Sequence, residues 1–230
     1  MNAPTNIKPH IMEIIGLAGA GKTTLCEVLK TNPDKIVYIK FPKVRKIKDA
    51  PFFVWYGLLL VPTLLRLYNH TSRRLTEREF AWMVVLNSWP FILKKVMKKT
   101  TKVIVLDQGP IYLLAELRES GPEFLKSKQA EKLWREIYFR WATTLDLLVW
   151  LDAPDTILME RIRTRDHEHI VKNEPDSKVF EFFAHFRRDY DLIVGRLEAI
   201  SPGFRIQRFD TCELKASEIA DRLFADFSHQ

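Results

Sequence analysis

Five short stretches of the chain are apolar at consecutive positions, not at every second or every third and fourth. Ile11-Met12-Glu13-Ile14-Ile15 is β-branched and runs straight into glycines, which predicts a parallel strand buried on both faces rather than a turn of helix. Residues 36–41, closed by Pro42, repeat the pattern, as do 102–107 (Lys-Val-Ile-Val-Leu-Asp), 145–152 and 204–209. Between these runs apolar residues recur three and four apart. One such helix starts at Thr23 and is stopped by Asn32-Pro33; others cover 78–87, 156–165 and 180–197. With no two-residue hairpin signal, the pattern predicts an α/β fold: a five-stranded parallel sheet with helices on both faces.

The interval from 42 to 101 is far longer than one crossover helix needs. It contains no repeat, Gly/Ser linker or low-complexity tract. The whole chain, 1–230, is therefore read as a single domain with a flexible N-terminus at 1–10, a helical acceptor-binding insertion at 42–101 and a lid at 154–175.

Gly16-Leu17-Ala18-Gly19-Ala20-Gly21-Lys22-Thr23 fits G-x-x-x-x-G-K-[ST] directly after a predicted strand and directly before a predicted helix. Glycines let the backbone curl so that N–H groups face phosphate oxygens, and the helix N-terminus adds a favourable field. Gly16, Ala18, Gly19, Ala20, Gly21, Lys22, Thr23 and Thr24 are the expected nucleotide-binding residues. Lys22 is expected to reach the β/γ-phosphates, and the Thr23 hydroxyl to ligate Mg²⁺. Asp107 ends an apolar strand where a doubly wound sheet has its ligand crevice, so it is expected to hold Mg²⁺ or orient an acceptor hydroxyl. With Gln108-Gly109-Pro110 following, its alternative role is that of a helix cap.

A net charge of +7 favours anionic partners without choosing among them. Two cysteines, Cys26 and Cys212, make no disulfide framework. With a polar start that lacks the features of a secretory leader, they predict a cytoplasmic protein. His167, His169 and His185 have no ligand-like spacing with cysteine. No Asn-Lys-x-Asp base-reading segment is present, which excludes a GTPase, and the chain is short for a motor or AAA-type ATPase. A small phosphotransferase remains. Its basic segment follows the fourth strand: Asp152-Ala153-Pro154-Asp155 opens a helix with an Asp cap, and Arg161 and Arg165, four apart, are expected to share a face and clamp phosphate. Arg163 falls on the other side. The alternative for these arginines is a solvated helix end.

At this point the chain resembles the thymidylate kinase and deoxynucleoside kinase group of P-loop kinases. The resemblance is carried by 16–24, the strand ending in Asp107, Leu147-Leu148-Val149-Trp150-Leu151-Asp152-Ala153-Pro154, Met159-Glu160-Arg161-Ile162-Arg163-Thr164-Arg165 and the aromatic helix 180–197. It implies ATP as donor, Mg²⁺ as metal and Arg161 and Arg165 as lid residues, making Lys22, Asp107, Arg161 and Arg165 the catalytic set. Three positions depart from that group. Gln108 stands where the group has an Arg, Lys40-Phe41-Pro42-Lys43 carries no carboxylate, and Asn87 and Ser88 stand about where thymidylate kinases have a substrate-binding Arg. The fold can be kept while the acceptor pocket is rebuilt.

Residues 52–65 are the most apolar stretch, preceded by Lys40, Lys43, Arg45, Lys46 and Lys48 and interrupted by Gly57 and Pro62. They are read as a helix or hairpin packed on the sheet and roofing the acceptor pocket; the alternative is a surface for membrane or a lipid-bearing acceptor. Trp55, Trp82 and Trp89 are read as core, with base stacking as the alternative. Lys94, Lys95, Lys98 and Lys99 are read as a solvated helix end. The expected activity is transfer of the ATP γ-phosphoryl to a small acceptor, nucleoside- or nucleotide-like or a related sugar or metabolite. Nucleic acid is not expected as a partner, and a homodimer is left open. The alternative is a regulatory or membrane-associated nucleotide-binding protein.

Overall fold

A computed structural model describes residues 10–40, 42, 50–68, 73–166 and 168–228. Strands β1 (Ile11–Ile15), β2 (Ile36–Lys40), β3 (Val103–Asp107), β4 (Leu147–Asp152) and β5 (Arg205–Asp210) form one sheet in the order β2-β3-β1-β4-β5, with every neighbouring pair parallel. Helix α1 (Lys22–Lys30) joins β1 to β2, and α2 (Ala50–Leu67) and α3 (Glu77–Met97) lie between β2 and β3. Then come α4 (Pro110–Ser120), α5 (Glu123–Lys126) and α6 (Glu131–Ala142) before β4, α7 (Asp155–Thr164) and α8 (Asp176–Ile200) before β5, and α9 (Ala216–Ser228). All residues of β1 are buried, as continuous apolar strands between two helical layers should be. The segment 1–9, Phe41, residues 43–49 with their cations, and His167 lie outside the described residues.

Strand ends move by one or two positions from the sequence expectation. The fourth strand begins at Leu147 because Leu145 N–H still bonds to the Trp141 carbonyl at the end of α6. In the long insertion, of the helix or hairpin expected at 52–65, a single helix forms. Neither Gly57 nor Pro62 breaks α2, and the helix packs on α3. Gly57 faces α3, where an added Cβ would come 3.6 Å from Val84 Cγ2. In α3, Pro90 has no N–H for the Leu86 carbonyl, and the Trp141 indole N–H supplies the missing donor at 2.9 Å.

Glu13, fully buried in β1, accepts backbone N–H bonds from Ile111 and Tyr112 at 3.0–3.2 Å at the start of α4. Burial pushes its carboxyl up to about 8 against the opposing pull of those amides. Gly109 leaves room for it: a Cβ there would sit 2.5 Å from Glu13 Cδ and 2.8 Å from Cγ. Gly109→Ala should therefore cost about 2 kcal/mol or more through overpacking. Urea unfolding checks this, and an unchanged midpoint would contradict the packing.

Candidate active site

The order β2-β3-β1-β4-β5 puts β1 and β3 side by side at the point where the chain switches direction across the sheet, so their carboxyl ends open into one crevice. A cavity of about 1030 Å³ occupies it. The loop after β1 forms its floor. Gly16 has φ +149°, with a Cβ position only 2.3 Å from the Leu151 carbonyl oxygen, and Gly19 has φ +85°, with its Cβ position 2.8 Å from that of Leu158. No side chain fits at either place. Gly16, Ala18, Gly19, Gly21, Lys22, Thr23 and Thr24 line the cavity. Ala20 does not: it is buried beneath the loop, and its N–H bonds to the Leu17 carbonyl at 3.2 Å.

Lys22 Nζ donates to the Gly16 and Leu17 carbonyls at 2.7 and 2.8 Å. Desolvation inside the loop, reinforced by the Arg165 charge, brings its ammonium down to about 8. A polyanion binds best to the protonated form, so above about pH 8 binding must first restore the proton, and the Kd of a bound triphosphate should rise toward about tenfold per pH unit. Calorimetric titrations in buffers of different ionisation enthalpy should detect proton uptake on that side of pH 8; flat affinity and no uptake would contradict this.

Asp107 lines the same cavity from the end of β3. Burial, and after it the neighbouring Asp107 carboxylate, raise the pKa of the Tyr38 phenol beside it. The helix-cap role is taken by other groups: the N-cap of α4 is Gly109, and Glu13 receives the first amides. Gln108 next to it has φ +52°, a left-handed conformation that is uncommon for a residue with a side chain.

Arg161 and Arg165, the two arginines expected in a lid, both reach the cavity, though not as one helix face. Helix α7 ends at Thr164, and Arg165 has already turned extended (φ −77°, ψ 151°), so the four-residue spacing argument does not apply to it. Arg161 donates to the Gly19 carbonyl at 3.2 Å and to Thr211 Oγ1 at 2.8 Å, tying the phosphate loop to the chain beyond β5. Arg165 Nε is buried with no hydrogen-bond partner. Its charge also helps lower His169, after burial as the larger cause. Arg163 points elsewhere, to the Glu174 carbonyl and Asp176. Asp152 does not cap α7, whose N-cap is Pro154 without a side-chain bond. With Asp155 it instead holds Arg187 of α8.

Away from the loop the cavity is walled by residues that sequence reasoning did not single out: Arg78 of α3, Tyr112 and Glu116 of α4, and Phe182, Phe186 and Tyr190 of α8. Their spacings, i,i+4 in α4 and i,i+4,i+8 in α8, were the available signal. For Arg78 it was Thr76-x-x-Glu79, an N-terminal capping box that the structure forms, placing Arg78 in the first turn of α3. Asn87 and Ser88 are buried instead, bonding to the Met83 and Val84 carbonyls, and Asn87 also to Arg140. No α2 residue lines the cavity, so the helix is not its roof. Trp89 packs edge-on against Trp141, Trp82 lies under the Arg78 guanidinium, and Trp55 is exposed. None of the three is in the cavity wall.

No protein-family profile matches the chain, and no curated protein matches it in sequence. Solved structures do match it in shape. Thymidylate kinase from Candida albicans superposes with a TM-score of 0.54 at 17% identity, over 97% of this chain and 94% of that one. Deoxyadenosine kinase from M. mycoides, solved with dCMP and dCDP bound, gives 0.52 at 15% identity over 96% and 100%. The YorR protein of Bacillus subtilis, in complex with phosphorylated GDP, gives 0.50 at 15% over 95% and 97%. A five-stranded parallel sheet, a phosphate loop after its first strand and these likenesses over nearly the whole chain identify the fold as that of the P-loop nucleotide and deoxynucleoside kinases.

Proposed function

We propose that the protein is a phosphotransferase that moves the γ-phosphoryl group of ATP, with Mg²⁺, onto a small nucleoside- or nucleotide-like acceptor. The carrying observation is Arg165, whose buried Nε lacks a partner while its charge bears on Lys22. A desolvated ammonium with a second cation near it is costly unless a polyanion neutralises both. A triphosphate meets that need, and the glycine-lined loop beside them fits it.

In this reading Gly16, Ala18, Gly19, Gly21, Lys22, Thr23 and Thr24 hold the ATP phosphates, with Ala20 supporting the loop from beneath. Thr23 and Asp107 hold Mg²⁺, which when bound neutralises charge on the phosphate oxygens. Among the described residues no three His, Cys, Asp or Glu cluster as a closed metal cage, and Mg²⁺ held mainly by phosphates and water needs none. Asp107 orients the acceptor hydroxyl or takes its proton, and Arg165 and Arg161 neutralise the phosphoryl group in flight. Phe182 and Phe186 offer ring faces for a base, and Arg78 and Glu116 offer a cation and an acceptor for polar edges or an acceptor phosphate. Free Cys26 and Cys212 suit a cytoplasmic setting.

A mass-spectrometric panel of nucleosides, nucleoside monophosphates and sugars, incubated with ATP and Mg²⁺, tests the reading. A phosphorylated nucleoside or nucleotide is the expected product. Tight ATP binding with no phosphorylated acceptor would favour a nucleotide-dependent switch. The arginines add a finer test. Arg165→Ala should lower kcat about a hundredfold with little change in ATP affinity, because its guanidinium has no structural partner. Arg161→Ala should also weaken ATP binding, since it anchors the loop at Gly19. Arg163→Ala, outside the cavity, should stay within about twofold of the parent. Steady-state kinetics with calorimetry separates these, and a damaging Arg163→Ala would overturn the assignment.

A further inference from the structure

Helix α2 is apolar on two faces. Phe53, Gly57, Leu60 and Leu64 are buried toward α3. The opposite stripe of Val54, Trp55, Leu58, Leu59 and Leu65 is 55–68% exposed. Phe91 of α3, itself exposed, extends it through ring contacts with Phe52 and Tyr56 at 6.4 and 5.4 Å. An apolar surface of this size on a folded chain marks an interaction site.

Charge selects the partner. Ala50–Leu67 contains no Asp or Glu and one cation, Arg66; residues 80–99 contain no Asp or Glu and four lysines. Lys94, Lys95, Lys98 and Lys99 are all exposed, and the Lys95 ammonium lies 5.3 Å from the centre of the Phe52 ring. The basic end of α3 therefore sits beside the start of the apolar stripe. A second copy paired about a two-fold axis would bring the same cations with no carboxylate from either stretch to meet them. An anionic bilayer supplies both acyl chains for the stripe and negative headgroups for the lysines, and Trp55 has the amphipathic ring favoured at that boundary.

We propose that the outward face of α2, with Phe91 and the lysines at the end of α3, docks the protein on the surface of an anionic phospholipid bilayer. The helix is apolar and long enough to span a bilayer by length and composition, but it lies along the surface and does not cross it, because its inner stripe of Phe53, Gly57, Leu60 and Leu64 is buried in the protein core.

The test is co-sedimentation of the full chain with vesicles of phosphatidylcholine alone or mixed with phosphatidylserine, alongside sedimentation velocity without lipid. The protein should partition to the phosphatidylserine vesicles, less so at high salt. Leu58→Glu with Leu65→Glu should lower partitioning at least about tenfold with an unchanged circular dichroism spectrum. Lys94→Gln with Lys98→Gln should remove the preference for anionic lipid. Should the glutamate variant misfold, Trp55 decides: brominated lipid should quench part of the tryptophan emission, and Trp55→Phe should abolish that part. A protein that stays in the supernatant with both vesicle types overturns the proposal, as does partitioning untouched by the stripe variant. A lipid-free dimer that the stripe variant dissociates overturns it too, by giving the face to a second copy.

Discussion

Lys22→Ala is expected to abolish phosphoryl transfer in a protein that remains folded. The side chain donates its hydrogen bonds to two carbonyls of its own loop, Gly16 and Leu17, so its loss breaks no tie between elements of the fold. What goes is the ammonium that neutralises the β/γ-phosphates, and kcat should fall at least about a thousandfold, the scale of a charge stabiliser acting in a desolvated site. Steady-state turnover, with circular dichroism as the folding control, checks this. Unaltered turnover by a folded variant would remove the kinase reading.

Asp107→Asn should lower kcat at least about a hundredfold, the order expected for a carboxylate that orients metal or takes a proton. The substitution is informative because it is nearly isosteric. The position caps no helix, so local geometry is kept while the negative charge is lost. Rapid-quench kinetics at saturating ATP should show the loss in the chemical step. A change confined to KM would mark Asp107 as structural.

What could be read in advance depended on how local each feature is. The phosphate loop is contiguous, and its glycines are demanded by backbone φ and by close approach to Leu151 and Leu158; strand, loop and helix therefore sit next to one another in the sequence. The five strands were legible because a parallel sheet buried on both faces needs unbroken apolar runs. The cavity wall away from that loop was not. Arg78, Glu116 and Phe186 come from α3, α4 and α8 and converge through the packing of α4 on α8 and of α3 on α4, which no short window displays. The Glu13 contact with the start of α4 joins residues 98 positions apart in the same way. Two expectations failed for identifiable reasons. Residues 52–65 form a helix, one of the two forms expected, but α2 packs on α3 and contributes nothing to the cavity it was expected to roof. Arg165 was placed by helical spacing, whereas α7 stops one residue before it.

The central claim is that one cavity joins a donor cradle to an acceptor wall across Asp107. Its most direct test follows the label of γ-labelled ATP in a single turnover with an acceptor taken from the phosphorylation panel. The account predicts label appearing on the acceptor, one for one with ADP, in the parent protein and not in Lys22→Ala. Label released only as inorganic phosphate at a rate independent of acceptor, or left on ATP, would contradict it.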